Sequence, residues 1–133
     1  MVVDASVAVQ WFANEPGAEA AARLIEGDDR LIAPDVMAAE AANAWWRKTR
    51  RREMTAADLD HAVVGLLALD IEWVPMARLL VPASRMALEM GHPVYDCLYL
   101  TLAVSRSARL ATVDDPLGAL AARLRVGRWA PRP

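Results

Sequence analysis

Met1-Val2-Val3-Asp4-Ala5-Ser6-Val7-Ala8-Val9-Gln10-Trp11-Phe12 holds the unit that the rest of the chain repeats. It opens on a short apolar run that stops at a carboxylate, the form of a brief buried strand. A helix is expected over residues 5–13, with Val7, Trp11 and Phe12 on its inner side. Working outward, the same unit recurs. Arg30-Leu31-Ile32-Ala33 is a second apolar run, and Pro34-Asp35 opens a helix reaching to about Arg51, since proline suits a first helical turn. Ile71-Glu72-Trp73-Val74 is a third run, stopped by Pro75. Arg109-Leu110-Ala111-Thr112 is a fourth, and it again ends at acids, Asp114-Asp115.

Helical patterns fill the intervals. They are expected over residues 18–26, and over 56–69 behind a Thr55/Asp58 capping box. Another is expected over 76–90, interrupted at Pro82 and ended by Gly91. The last two span 94–107 and 116–124, and a terminal strand is expected over 126–129. Short strands separated by helices predict an α/β chain with a short-stranded, mostly parallel sheet flanked by helices on both faces. No repeat, linker or low-complexity tract divides it, so residues 1–133 are expected to form one domain.

The composition narrows the class. Of 133 residues, 56% are hydrophobic and 24% charged, which excludes a disordered chain. No window offers the ~18 consecutive apolar residues of a membrane span. The opening residues lack the basic segment and apolar run of a secretory signal. Cys97 is the only cysteine, so neither an intramolecular disulfide nor a cysteine-based zinc site can form. A cytoplasmic protein is expected.

The net charge of −2 is unevenly spread, with Arg47, Lys48, Arg50, Arg51 and Arg52 crowded at the end of one helix. Lys48 is the only lysine, and arginine suits bidentate phosphate contacts. If four carboxylates gathered in one site, the remaining surface would carry net positive charge, so a nucleic-acid partner fits the balance. Trp45 and Trp46 are adjacent on the same helix and cannot both face the core.

In open parallel sheets, ligands bind beyond the carboxyl ends of the strands. Asp4 and Asp114 stand at two such ends. Glu40 interrupts the alanine-rich run 37–42, and Asp96 stands in a first helical turn. Taken singly, each has an ordinary use as a cap, a helix-start charge or a solvated position. Taken together, strand end, helix, helix start and strand end form a set of hard oxygen donors suited to Mg²⁺ or Mn²⁺. His61 falls mid-helix and His92 in a loop, with no basis for a Ser-His-Asp arrangement.

Four segments also carry a family resemblance: VVDASVAVQWF, APDVMAAEAANAWWRKTRR, HPVYDCLYLTLA and LATVDDPL, in that order. They resemble PIN-domain proteins, particularly the VapC-type toxin ribonucleases of bacterial toxin–antitoxin pairs. The resemblance covers nearly the whole chain. It implies a PIN-like three-layer α/β/α fold and metal-dependent hydrolysis of RNA. The family's acids map onto Asp4, Glu40, Asp96 and Asp114, with Ser6, Thr112 and Asp115 in supporting places. The final strand departs from the pattern, because Gly127-Arg128-Trp129 replaces a more apolar run.

The resemblance further implies RNA as substrate, a VapB-type antitoxin as partner and a homodimer, with Arg47, Arg50, Arg51 and Arg52 as RNA contacts. The alternative within the family is a nuclease of RNA processing outside any toxin–antitoxin pair. Phosphoryl transfer through an aspartyl nucleophile fits less well, because a receiver-type site needs a late lysine and a dehalogenase-type site needs Asp-x-Asp. A silent binding module would be expected to lack one of the four acids.

Overall fold

Val2 and Val3 are fully buried and form β1 (Val2–Val3) of the computed structural model, which describes residues 1–129. The last four residues of the expected domain, 130–133, lie outside the described residues. Around β1 the chain runs α1 (Ala5–Gln10), α2 (Ala18–Glu26), β2 (Leu31–Pro34), α3 (Val36–Arg50), α4 (Ala56–Ala68) and β3 (Ile71–Val74). A 3₁₀ turn (Met76–Arg78) leads into α5 (Leu80–Met90), α6 (Val94–Ser105), β4 (Leu110–Ala111), α7 (Asp115–Arg123) and β5 (Arg128–Trp129).

The strands form one sheet in the order β3-β2-β1-β4-β5, and every neighbouring pair is parallel. The sheet and its flanking helices form the three-layer α/β/α arrangement expected from the sequence. The chain moves outward from β1 to β3, then returns to place β4 on the other side of β1. That reversal makes the β1–β4 junction the switch point, the edge at which open parallel sheets bind their ligands. Asp4 follows β1 directly, and Thr112 to Asp114 follow β4.

Burial explains the layers. Residues Cys97 to Ala103 of α6 are all buried, the mark of a helix enclosed on every side. It packs on β1, β2 and β4, with α5 outside it. On α3, Met37, Ala41, Trp45 and Lys48 are buried, and this side lies against α1. Trp45 is fully buried, its ring edge-on to Phe12 at 5.7 Å, and its indole N–H donates to the Val9 carbonyl at 3.2 Å. Trp46 stays 51% exposed, so the pair divides as the sequence required.

Several boundaries shift for physical reasons. The break near Pro82 falls upstream, at Leu79, and Pro82 lies in the first turn of α5, where its missing N–H leaves no helical bond unmade. The strand in doubt does form: Arg128–Trp129 pairs parallel with β4. Four helices end in the same left-handed motif, with a six-to-one bond closing the last turn. The bonds run from Glu53 to Lys48, His92 to Ala87, Ala108 to Ala103 and Val126 to Ala121. Only Gly91 supplies the usual glycine (φ 63°); Arg52, Ser107 and Arg125 hold the other three left-handed positions. Non-glycine residues there are unusual, and α3, α6 and α7 therefore stop a residue or two before the periodicity suggests.

Candidate active site

Asp4 is 6% exposed and caps α1, so a carboxylate sits under the switch point where an uncompensated charge is costly. Its compensation comes from one side. Oδ2 accepts from the Ser6 backbone N–H at 3.3 Å, from the Ser6 hydroxyl, and from the Thr112 hydroxyl at 2.8 Å. The two hydroxyls are themselves held by the β4–α7 loop. Ser6 Oγ accepts from the Val113 N–H at 3.1 Å, and Thr112 Oγ1 accepts from the Asp114 N–H at 3.0 Å. Among the described residues, all hydrogen bonds to the Asp4 carboxylate fall on Oδ2, which leaves Oδ1 for a ligand.

Burial pushes the Asp4 carboxyl above its ordinary range, the hydroxyl bonds pull it back, and the Asp96 charge raises it further. Glu40, half-buried on α3, is raised first by burial and then by the charges of Asp4 and Asp96, against a lowering bond from Tyr99. Carboxylates from the end of β1, the middle of α3 and the first turn of α6 thus feel one another. Like charges held this way favour either a proton or a cation between them.

Each acid is also tied to a protein donor. Tyr99 donates its hydroxyl to Glu40 Oε2. His92 Nε2 lies 2.6 Å from Asp96 Oδ2, a pairing absent from the sequence reading although the i, i+4 spacing was its signal. Asp114 is exposed and caps α7, its Oδ1 accepting from the Leu117 N–H at 2.8 Å. Among the described residues no three His, Cys, Asp or Glu side chains are gathered as a ready ligand cluster. The acids are electrostatic neighbours rather than a preassembled set.

The supporting residues separate. Ser6 and Thr112 bear directly on Asp4, whereas Asp115 opens α7 at the surface, 3.6 Å from Arg128. Arg128 has a second contact that its position on the divergent strand did not suggest. Its Nε and Nη2 both donate to the Thr112 carbonyl, at 3.2 and 3.1 Å, and so brace the loop that carries Thr112 and Asp114. Gly118 makes room for it, because a Cβ there would stand 2.6 Å from Arg128 Nη1.

At the other end of α3 the basic run divides as well. Lys48 is buried and paired with Glu15 and with Glu53, so it ties the α1–α2 loop to α3 instead of facing solvent. Arg47, Arg50, Arg51 and Arg52 are exposed, with Arg51 held by Glu53 at 2.8 Å.

Comparison with known proteins bears on the family and the fold. Ribonuclease VapC3 of Pyrobaculum aerophilum is 33% identical over 121 residues, covering 88% of this chain and 91% of that protein. The crystal structure of PAE2754 from the same organism aligns with a TM-score of 0.69 at 24% identity, over 93% of this chain and 88% of that one, and it supports the fold alone. The family model for the PIN domain matches residues 1–122, which takes in Asp4, Glu40, Asp96 and Asp114 together with every strand but β5. The chain therefore belongs to the PIN-domain family.

Proposed function

We propose that this protein is a divalent-cation-dependent ribonuclease hydrolysing RNA phosphodiester bonds, and the toxin of a type II toxin–antitoxin pair. The observation that carries the reading is the buried Asp4 carboxylate at the end of β1, its Oδ2 held by Ser6 and Thr112, with the charge of Asp96 raising its pKa and the charges of both raising that of Glu40. The relation to a VapC ribonuclease over most of both chains supplies the substrate class. All 133 residues are taken to work as one domain, in the cytoplasm. No helix among the described residues is long and apolar enough to cross a membrane.

The donors are all carboxylate oxygens, which fit Mg²⁺ or Mn²⁺. A divalent cation bound there supplies Lewis acidity toward a phosphoryl oxygen and a bound water of lowered pKa. Asp4 and Asp96 would hold it directly. Glu40 has Oε2 fixed by Tyr99, so its Oε1 would join the donor set beside the attacking water. Asp114 completes the set from the β4–α7 loop. Ser6 and Thr112 hold the Asp4 carboxylate in place. In-line attack by water leaves a 5′-phosphate and a 3′-hydroxyl.

Purified protein incubated with end-labelled RNA tests the reading. Cleavage should require Mg²⁺ or Mn²⁺, stop on chelation, and leave 5′-phosphate ends. Cleavage that persists in chelator, or ends bearing a 2′,3′-cyclic phosphate, would reject it.

Arg47 and Arg50 stand seven and ten residues beyond Glu40 on α3, about 10–15 Å along the helix at ~1.5 Å per residue, and Arg51 and Arg52 follow at its end. That distance matches a few nucleotides of a strand entering the site, and we assign them to phosphate contact. Replacing Arg50, Arg51 and Arg52 with Gln should weaken RNA binding and flatten its salt dependence by up to about 0.7 per lost contact. Arg51, already paired with Glu53, should contribute least. The rate at saturating RNA should hardly change. An unaltered salt slope would remove the arginines from the RNA path and leave them to the antitoxin.

The partners we propose are a VapB-type antitoxin and a second copy of this chain. Trp46 on α3, with Val81 and Leu88 on α5, at 51%, 61% and 86% exposure, offer apolar surface to them.

A further inference from the structure

Tyr99 is 1% exposed on the most enclosed helix of the protein, among Leu98, Leu100 and Leu102. A hydroxyl in such a place costs stability unless it is paired, and a phenylalanine would fill the same volume without that cost. The hydroxyl's partner belongs to an acid-bearing element: it donates to Glu40 Oε2 on α3. Tyr99 itself lies one turn beyond Asp96 on α6. A single buried group thus touches Glu40 and sits one turn from Asp96.

We infer that Tyr99 is a positioning residue for the cation site, fixing Glu40 by one carboxylate oxygen so that the other stays free for a ligand. The inference rests on the proposed role of Glu40. Two features favour it over a purely structural hydroxyl. Glu40 is half-buried and, among the described residues, accepts no other hydrogen bond. Its side chain has several rotatable bonds, so one fixed oxygen removes most of its freedom. Groups that orient ligands from behind typically alter metal affinity ten- to a hundredfold when removed.

The test is calorimetric titration of Mn²⁺ into metal-free protein. In Tyr99→Phe the Mn²⁺ dissociation constant should rise about ten- to a hundredfold, and in Glu40→Gln it should also rise. In the double variant it should match Glu40→Gln alone, because Tyr99 acts only through that carboxylate. Tyr99→Met, which adapts to the same space without a hydroxyl, should repeat the rise and guard against a packing defect peculiar to phenylalanine. Wild-type affinity in both tyrosine variants, alongside a weakened Glu40→Gln, would overturn the inference and leave Glu40 a ligand. Wild-type affinity in Glu40→Gln would instead overturn the role of Glu40 and the inference with it. Additive losses in the double variant would show Tyr99 acting through general packing, and would also overturn it.

Discussion

Asp4→Asn is expected to lower RNA cleavage by about a thousandfold or more while raising the melting temperature of the metal-free protein at neutral pH. The first effect follows from the role proposed for Asp4 as a direct anionic ligand. Losing ~4 kcal/mol of transition-state stabilisation through the bound cation is about a thousandfold in rate. The second follows from burial. Asp4 is nearly buried beside Asp96, and its folded-state carboxyl is raised above the unfolded value, so the charged form opposes folding. The folded state holds its proton to higher pH than the unfolded state does. Stability is therefore greatest below the ordinary carboxylate range and declines as pH rises through the elevated value. Glu40 acts in the same direction.

Asparagine removes the charge and still accepts from Ser6 and Thr112, and it is among the best residues for capping α1. The stabilisation relative to wild type should be full at neutral pH and fade as the pH falls into the ordinary carboxylate range. Melting curves across that range check it. A variant that melts lower than wild type at every pH would mean that Asp4 is held mainly by its hydrogen bonds, and is not strained by its charge.

Trp45→Ala should destabilise the protein by about 3–5 kcal/mol, a large share of the roughly 5–15 kcal/mol that holds a domain of this size together. Trp45 is fully buried where α3 meets α1, stands edge-on to Phe12 and satisfies the Val9 carbonyl. Truncation removes the largest fully buried side chain among the described residues, opens a cavity and costs the Val9 carbonyl its indole donor. The consequence reaches the site, because α1 begins at Asp4 and α3 carries Glu40. Urea unfolding should show a lowered midpoint at an unchanged slope. Trp46→Ala, on the exposed neighbour, should lie within about 0.5 kcal/mol of wild type. Equal effects at the two positions would contradict the packing described for α3.

The residues that were legible in the sequence are those whose signal is local. Apolar runs stopped by Asp4, Pro75 and Asp114 marked the strands, Thr55 and Asp58 marked a helix start, and both the parallel sheet and the capping box are present. The ends of α3, α6 and α7 were not legible, because Arg52, Ser107 and Arg125 stand where glycine would have announced a left-handed stop. β5 was obscured by Arg128, a charged residue on a strand. It is accommodated because its guanidinium reaches the Thr112 carbonyl across Gly118.

The site divides along the same line. The acids could be picked out as a set by their family pattern. What ties each of them down depends on tertiary contacts with no fixed spacing: Tyr99 lies 59 residues from Glu40, and Thr112 lies 108 from Asp4. His92 is the exception, four residues from Asp96. Lys48 illustrates the converse. Its place in a basic run suggested a solvated surface, yet two glutamates from different segments draw it inward.

If Asp4, Glu40 and Asp96 form one cation site, Mn²⁺ should protect the protein against thermal unfolding. An ion that binds only the folded state stabilises it by about 2.7 kcal/mol at a hundred times its dissociation constant, a shift of several degrees for a chain of this size. The wild type should show that shift, and Asp4→Asn and Asp96→Asn should each lose most of it. Equal shifts in all three proteins would place the ion elsewhere and contradict the account.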